Sequence, residues 1–178
     1  MQLELSDRAA RRLSRELRWG HHPHLARRRR LLALELAASG SMGLIALYQM
    51  GLLKQLPEPP LPYLDADKVD ASAEAYRKLA MPDAALGFLS YAVTITLVAA
   101  GGARRARERP WLPLALAAKL GLDAVQAGKL SVHQWTRHRA FCFWCLIAAG
   151  TTFAALPLAW PEARDVWRRL TTEIEPAG

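Results

Sequence analysis

The two cysteines of the chain, Cys142 and Cys145, are the residues whose type and spacing best fit a chemical reaction. They stand three positions apart, where the last long apolar segment begins. Two thiols at this spacing in the first turn of a helix can close a short disulfide. The unsatisfied N–H groups of a helix N-terminus also stabilise a neighbouring thiolate. The pattern therefore predicts a thiol–disulfide redox pair at the mouth of a helix.

Four apolar segments provide the elements that position this pair. Residues 31–53 contain one acid, Glu35, and residues 84–103 and 140–160 contain no charge. Residues 111–130 are mostly apolar. Each segment is long enough to cross a hydrocarbon core of about 30 Å at about 1.5 Å per helical residue. We therefore predict an all-α fold, an integral membrane four-helix bundle with these segments as its spans.

The charged connectors predict the orientation of the spans. Residues 1–30 hold nine arginines and three acids, and further arginines lie at 104–109 and directly after the fourth span. Residues 54–83 instead hold six acids and four bases. Because basic connectors stay inside, we predict a cytoplasmic N-terminal segment, an outer loop over 54–83 and a cytoplasmic tail over 161–178. The cysteine pair of this multi-pass protein then faces the outer side of a bacterial inner membrane, where disulfides persist.

The basic N-terminal segment favours a lipid surface as its partner. Leu13 and Leu17, with Ala9 and Ala10, form one apolar face of a short helix whose other face is rich in arginine. Such a helix suits an anionic inner leaflet. No aromatic or base-reading pattern accompanies the arginines, so we predict the lipid bilayer, and not a nucleic acid, as the partner.

The outer loop is predicted to contain a short amphipathic helix over residues 65–79, in which apolar residues recur at helical spacing. We expect Pro82 to end this helix and Asp83 to cap the second span. The helix either covers the mouth of the bundle as a lid or lies on its surface.

The third span carries polar groups at membrane depth. Lys119, Asp123 and Gln126 fall at i, i+4 and i+7 and therefore share one helix face. Ionisable groups at this depth are costly and normally face a bundle interior. One interpretation is a proton path or a polar contact beside an electron carrier. The other is a Lys119–Asp123 pair that neutralises itself and fixes helix packing.

Positive charge lies next to the cysteine pair in the sequence, at His133, Arg137, His138 and Arg139. We expect the nearest of these groups to favour a thiolate at Cys142. Cys142 is also nearer the outer end of the span, so we expect it to exchange with incoming thiols or disulfides. Cys145, one turn deeper, then exchanges electrons with a carrier in the membrane.

Two other uses of the cysteines are open. Together with His133 and His138 they offer the ligand types of a zinc site, but at a spacing unlike that of familiar zinc fingers, and we predict no metal. A structural disulfide is the second alternative. Closing so short a loop removes little chain entropy, so such a bridge stabilises little.

The order of these features resembles the vitamin K epoxide reductase (VKOR) family over roughly residues 31–160. The chain has four predicted spans, and a Cys-x-x-Cys pair opens the fourth. The stretch from the outer loop into the second span is similar to a family pattern, here Val69-Asp70-Ala71-Ser72, Tyr76, Met81-Pro82, Gly87 and Tyr91. The resemblance implies a helical bundle around a quinone pocket, for a ubiquinone or menaquinone type of quinone. It also implies that Cys142 and Cys145 pass electrons between protein thiols and the quinone.

The chain departs from the family in two places. Relatives usually carry a second cysteine pair in the outer loop, whereas here the loop has none and Ala66 stands about where one is expected. A thioredoxin-like or other thiol protein on the outer face is therefore the expected partner of Cys142. Relatives often have a quinone-contacting tyrosine where this chain has Ala149. The candidate replacements on the quinone side are Tyr48, Tyr91 and Trp144.

A function without catalysis is the alternative to this enzyme. The chain is then a membrane scaffold or assembly factor, and its cysteine pair is structural or vestigial. An enzyme requires that both cysteines cycle between thiol and disulfide, whereas a scaffold tolerates their loss.

Overall fold

A computed structural model of the chain describes residues 2–76 and 80–174, in which the regular elements are helices. The all-α prediction is confirmed for this part of the chain. The helices are α1 (Gln2–Trp19), α2 (Pro23–Gln49), α3 (Ala66–Asp70), α4 (Asp83–Ala99), α5 (Arg105–Glu108), α6 (Trp111–His133) and α7 (Phe143–Ile174), with a 3-10 helix at Ala73–Tyr76 and a π-helical turn at Gln134–His138.

The four long helices after α1 pack against one another. α2 lies against α4 and α7, and α6 lies against α7 and α4. Two buried apolar clusters fill the space between them. One surrounds Leu31, Leu116 and Leu120. The other lies at the opposite end of α2, around Ile45, and contains Cys142.

Two of the described helices are long and apolar enough to cross a membrane, at Pro23–Gln49 and Phe143–Thr172. α4 is apolar but shorter, with 17 residues. α6 is longer, but Lys119, Asp123 and Lys129 interrupt its apolar surface. The helices therefore support a membrane protein, whereas the crossing of a membrane by all four stays a prediction.

The helix ends differ from the predicted span ends. α2 begins at Pro23, a residue preorganised for the first helical position, and the His22 ring accepts a hydrogen bond from the His24 N–H at 3.3 Å. It ends at Gln49, before the predicted boundary at 53, and Gly51 then adopts a φ of 78°. α7 continues past Pro161 into the predicted tail.

Two arginines of the basic segments bind the C-terminal end of α4. Arg28 donates hydrogen bonds to five consecutive carbonyl oxygens, those of residues 98–102. Arg105 donates to the carbonyl oxygens of Leu97, Val98 and Ala100. A helix leaves its last carbonyls without internal partners and carries partial negative charge there. These arginines therefore stabilise the fold in addition to any role in orientation.

The prediction of one continuous helix over 65–79 is wrong. α3 ends at Asp70, and a separate 3-10 helix covers Ala73–Tyr76, while residues 77–79 lie outside the described residues. The Asp70 carbonyl oxygen, which a continuing helix needs as an acceptor, instead accepts a hydrogen bond from Gln49 Nε2 at 3.1 Å. This contact with the end of α2 replaces the next turn.

Asp83 does not cap α4 as expected. Pro82 occupies the capping position, and Asp83 Oδ1 accepts a hydrogen bond from Gln49 Nε2 at 2.9 Å. Gln49 Oε1 accepts from the Ala84 N–H at 3.2 Å. One glutamine therefore joins the end of α2 to both the connecting segment and the start of α4.

Candidate functional site

Cys142 lies directly before the first turn of α7. Its Sγ accepts a hydrogen bond from the Cys145 N–H at 3.3 Å, and its carbonyl accepts from the Leu146 N–H at 3.0 Å. The Cys142 N–H donates to Gln134 Oε1 at 3.2 Å. Its sulfur therefore satisfies one of the backbone N–H groups that a helix N-terminus leaves without an internal partner. Both cysteines are free thiols.

The segment that connects α2 to α4 covers Cys142. Backbone hydrogen bonds join Phe141 N–H to Tyr63 O at 2.7 Å and Asp65 N–H to Phe141 O at 3.0 Å. Trp144 Nε1 donates to Pro57 O at 2.8 Å. Cys142 is 0% exposed as a result. Although Cys142 was expected to meet incoming thiols because it is nearer the outer end of the span, it is the less exposed of the two thiols, since position along a helix does not show which segment folds over it.

Cys145 lines a cavity of about 570 Å³ between the four long helices and the connecting segment. The apolar part of its wall includes Met42, Ile45, Val69, Ala84, Leu86, Ala127, Leu130, Ala148 and Ala149. Polar and charged groups reach the same cavity, among them Asp70, Asp83, Ser90, Tyr91, Asp123, Gln126, His133 and His138. An apolar cavity with a few converging polar groups is typical of a small-molecule site.

Asp70 forms a cluster with the two cysteines. Cys145 Sγ donates a hydrogen bond to Asp70 Oδ1 at 3.7 Å. Side-chain atoms of Asp70, Cys142 and Cys145 all lie within 4.8 Å of one another. Burial raises the pKa of Asp70 to about 6. In the sequence Asp70 stands out only as part of a motif, since a contact between residues 75 positions apart leaves no local pattern.

The model of the vitamin K epoxide reductase family matches residues 30–160 of the chain. The chain belongs to this family. The resemblance inferred from the motifs is thereby confirmed. No curated protein and no solved structure matches the chain. The VKOR family comprises membrane thiol oxidoreductases and is associated with quinones, and the matched range contains the cysteine pair and the residues that line the cavity.

The three aromatic residues predicted on the quinone side of this VKOR-family chain occupy different places. Tyr91 lines the cavity, and its hydroxyl lies 2.8 Å from Thr152 Oγ1. Tyr48 and Trp144 are not among the lining residues and pack against the buried cluster around Cys142. Of the three, the structure therefore brings Tyr91 to the cavity. Ala149, where the resemblance implies a tyrosine in relatives, also lines it.

The polar residues of α6 divide between an ion pair and the cavity wall. Lys119 Nζ lies 2.6 Å from Asp123 Oδ2 and also donates to Ser90 Oγ at 2.8 Å. Thr94 Oγ1 donates to Asp123 Oδ2 at 3.2 Å. Asp123 and Gln126 line the cavity, whereas Lys119 does not. The ion pair that neutralises Lys119 is therefore present, and the carboxylate of Asp123 also reaches the cavity.

Glu35 is a buried polar group whose environment is not evident from the sequence. It is 0% exposed, and neither of its carboxylate oxygens has a hydrogen-bond partner within the described part of the chain. The feature of the sequence that could have drawn attention to Glu35 is that it is the single acid of the first apolar segment.

The four ligands of the alternative zinc site do not lie together in the described part of the chain. His133 Nδ1 and His138 Nε2 lie 3.6 Å and 3.9 Å from Glu74 Oε2. Over residues 2–76 and 80–174, neither histidine joins a ligand group with the cysteines. These two histidines therefore face Glu74 at the cavity wall.

Proposed function

We propose that this VKOR-family protein is a thiol–disulfide oxidoreductase that passes electrons between protein thiols and a quinone. The observation that carries the proposal is the asymmetric setting of the two thiols. Cys145 opens on the cavity, while Cys142 Sγ accepts a hydrogen bond from the Cys145 N–H at the start of α7, beneath the connecting segment. Two thiols so placed can exchange electrons with different partners while they form one disulfide.

The cavity supports a quinone as the partner on the Cys145 side. Its volume of about 570 Å³ falls inside the range of about 300–1,000 Å³ that is usual for small-molecule sites. Its apolar wall suits the ring and tail of a ubiquinone or menaquinone. Tyr91 and Ser90 supply hydroxyl groups for ring carbonyls. When bound, the quinone accepts the two electrons that the oxidation of one dithiol releases.

A thioredoxin-like or other thiol protein is the proposed partner of Cys142. The chain has no further cysteine to relay electrons, so the partner must reach Cys142 itself. Because the connecting segment covers this thiol, the partner has to displace it at Pro57 and Tyr63. A Cys145→Ser variant should then trap a mixed disulfide through Cys142. Partners trapped by Cys142→Ser instead would reverse the assignment of the two thiols.

The proposed setting is a bacterial inner membrane, with four spans and both termini cytoplasmic. Reporter fusions at Pro60 and Gly102 should report opposite sides of the membrane. The same side for both fusions contradicts the arrangement, because one loop then cannot be outer and the other inner.

The α6 face is a proposed proton path to the cavity. Asp123 and Gln126 line the cavity, which supports this role. The Lys119–Asp123 ion pair supports the packing role equally. Asp123→Asn should slow turnover if the carboxylate carries protons and leave it unchanged if the pair only fixes the helix.

Turnover with a soluble quinone analogue tests the proposed function. Purified protein in detergent should oxidise an added dithiol when the analogue is present. Cys142→Ser and Cys145→Ser should each abolish this activity, since the pair acts as a unit. Ala154→Ser, which adds a hydroxyl to the exposed face of α7, should leave it intact. No quinone reduction by the unmodified protein, with normal function of the double serine variant in cells, would favour the scaffold.

A further inference from the structure

The short helix α3 delivers a carboxylate to the redox pair. Asp70, its last residue, is 5% exposed and accepts a hydrogen bond from the Cys145 thiol. We propose that Asp70 is the acid–base residue of the pair, which takes the Cys145 proton on oxidation and returns it on reduction. This inference rests on the proposed function, because it assumes that the pair cycles between dithiol and disulfide.

The position of Asp70 is fixed by its backbone and not by its carboxylate. Gln49 Nε2 binds the Asp70 carbonyl oxygen at 3.1 Å, and the buried cluster around Ile45 holds Ala66 and Val69 of the same helix. Oδ1 of Asp70 faces Cys145, and Oδ2 is buried with no hydrogen-bond partner among the described residues. A carboxylate with an uncommitted oxygen beside a thiol has room for a proton.

Burial and the neighbouring charges hold the pKa of Asp70 near neutrality. Glu58 and Asp83 disfavour its ionised form, in addition to burial, and the two thiols favour it through hydrogen bonds. Among the described residues, Tyr48 is one further titratable group that senses the charge of Asp70. The resulting pKa of about 6 lies close to neutrality, where a group both accepts and donates protons efficiently.

The proton and electron balance of oxidation follows from this geometry. The Cys145 proton passes to Asp70 as the sulfur becomes a thiolate. Cys142 gives up its own proton as it forms the sulfur–sulfur bond with Cys145. Two electrons leave the pair for the quinone acceptor of the proposed function. Two protons balance them on the quinone, one returned from Asp70 and the one that Cys142 gives up. In the reverse direction Asp70 gives its proton back to the Cys145 thiolate.

Asp70 lies on the same short helix as Ala66, the position at which the resemblance implies the cysteine that this loop lacks. Ala66, about where relatives carry that cysteine, belongs to the same buried cluster as Cys142. In this chain the loop has no thiol, and α3 instead places a proton acceptor beside the pair.

The pH profile of Cys145 alkylation tests the inference without any quinone. In a Cys142→Ser background, iodoacetamide reports Cys145 alone. We expect a rate that is nearly constant between about pH 6.5 and pH 8. In that window the thiol ionises without net proton release, because Asp70 keeps the proton. With Asp70→Asn the rate should instead rise about tenfold per pH unit below the thiol pKa. Asp67→Asn removes the same charge from an exposed site on α3 and should keep the plateau.

A tenfold rise per pH unit in the protein that retains Asp70 overturns the inference, whether or not the asparagine variant folds. In the dithiol–quinone assay, Asp70→Asn should lower turnover about 100-fold, and Asp67→Asn should leave it unchanged. Loss of quinone reduction in the unmodified protein with the plateau intact refutes the proposed function alone. Quinone reduction without the plateau refutes the role of Asp70 alone.

Discussion

Trp144→Phe is expected to open access to Cys142. In the structure this thiol is 0% exposed, and the segment over it is held by the Trp144 Nε1–Pro57 O bond at 2.8 Å and two backbone bonds between Phe141 and residues 63 and 65, at 2.7 and 3.0 Å. Phenylalanine keeps an aromatic ring at the site but cannot donate the hydrogen bond. The segment therefore opens more often, and the thiol beneath it becomes reactive.

The expected magnitude follows from these three bonds. Each hydrogen bond contributes about 0.5–1.5 kcal/mol net, so opening costs about 1.5–4.5 kcal/mol. At about 1.4 kcal/mol per factor of ten, Cys142 should react about 10-fold to 1,000-fold more slowly than an exposed thiol. Removing one bond of about 1 kcal/mol should raise its rate about fivefold.

Alkylation by iodoacetamide in a Cys145→Ser background measures this rate, with the denatured protein as the reference for an exposed thiol. Trp160→Phe is the matched control, because Trp160 is exposed on the same helix. The reasoning is refuted if Cys142 in the folded protein reacts as fast as in the denatured protein. It is also refuted if the two tryptophan variants give the same rate.

Glu162→Gln should lower the free energy of unfolding by about 3–5 kcal/mol, since it leaves the charge of Arg105, 0% exposed and 2.7 Å from Glu162, without its carboxylate. Thermal unfolding in detergent measures this, and Glu108→Gln, in an exposed pair, should change little. Gly101→Ala should cost about 1–3 kcal/mol in the same assay, because Gly101 has φ 76° and an added Cβ would lie 2.9 Å from Arg105 Cβ; an unchanged midpoint contradicts this. Burial raises the pKa of Asp70 from 3.8 to about 6, so its stabilising contribution, complete below pH 3.8, is lost as pH rises through 6. Asp70→Asn should therefore gain stability relative to the unmodified protein, by about 3 kcal/mol between about pH 4 and pH 7, and a constant difference would exclude the shift.

The helices and the placement of the cysteine pair at a helix mouth were predictable from local patterns. Apolar runs with at most one charge can form long helices only if neighbouring helices or lipid cover them, and α2, α4 and α7 each contain such a run. The ends were less predictable, because α2 gained a start at Pro23 that lies within a basic segment.

The cavity and its chemistry were not predictable from such patterns. Asp70 meets Cys145 only because Gln49 holds the end of α3 against α2, and no spacing encodes that contact. Tyr48 and Trp144 were candidates by residue type, but the covering segment engages Trp144 through Pro57. Tyr91 lines the cavity because one face of α4, from Asp83 to Tyr91, forms part of the cavity wall.

The geometry of the proposed enzyme separates the two halves of its reaction. With the connecting segment in place, Cys145 opens on the cavity while Cys142 is shielded, so exchange with a quinone does not compete with exchange with a protein. In the proposed reaction, a single thiol pair would keep its two electron-transfer steps apart, because the segment covers Cys142 while α3 holds the Asp70 carboxylate beside Cys145.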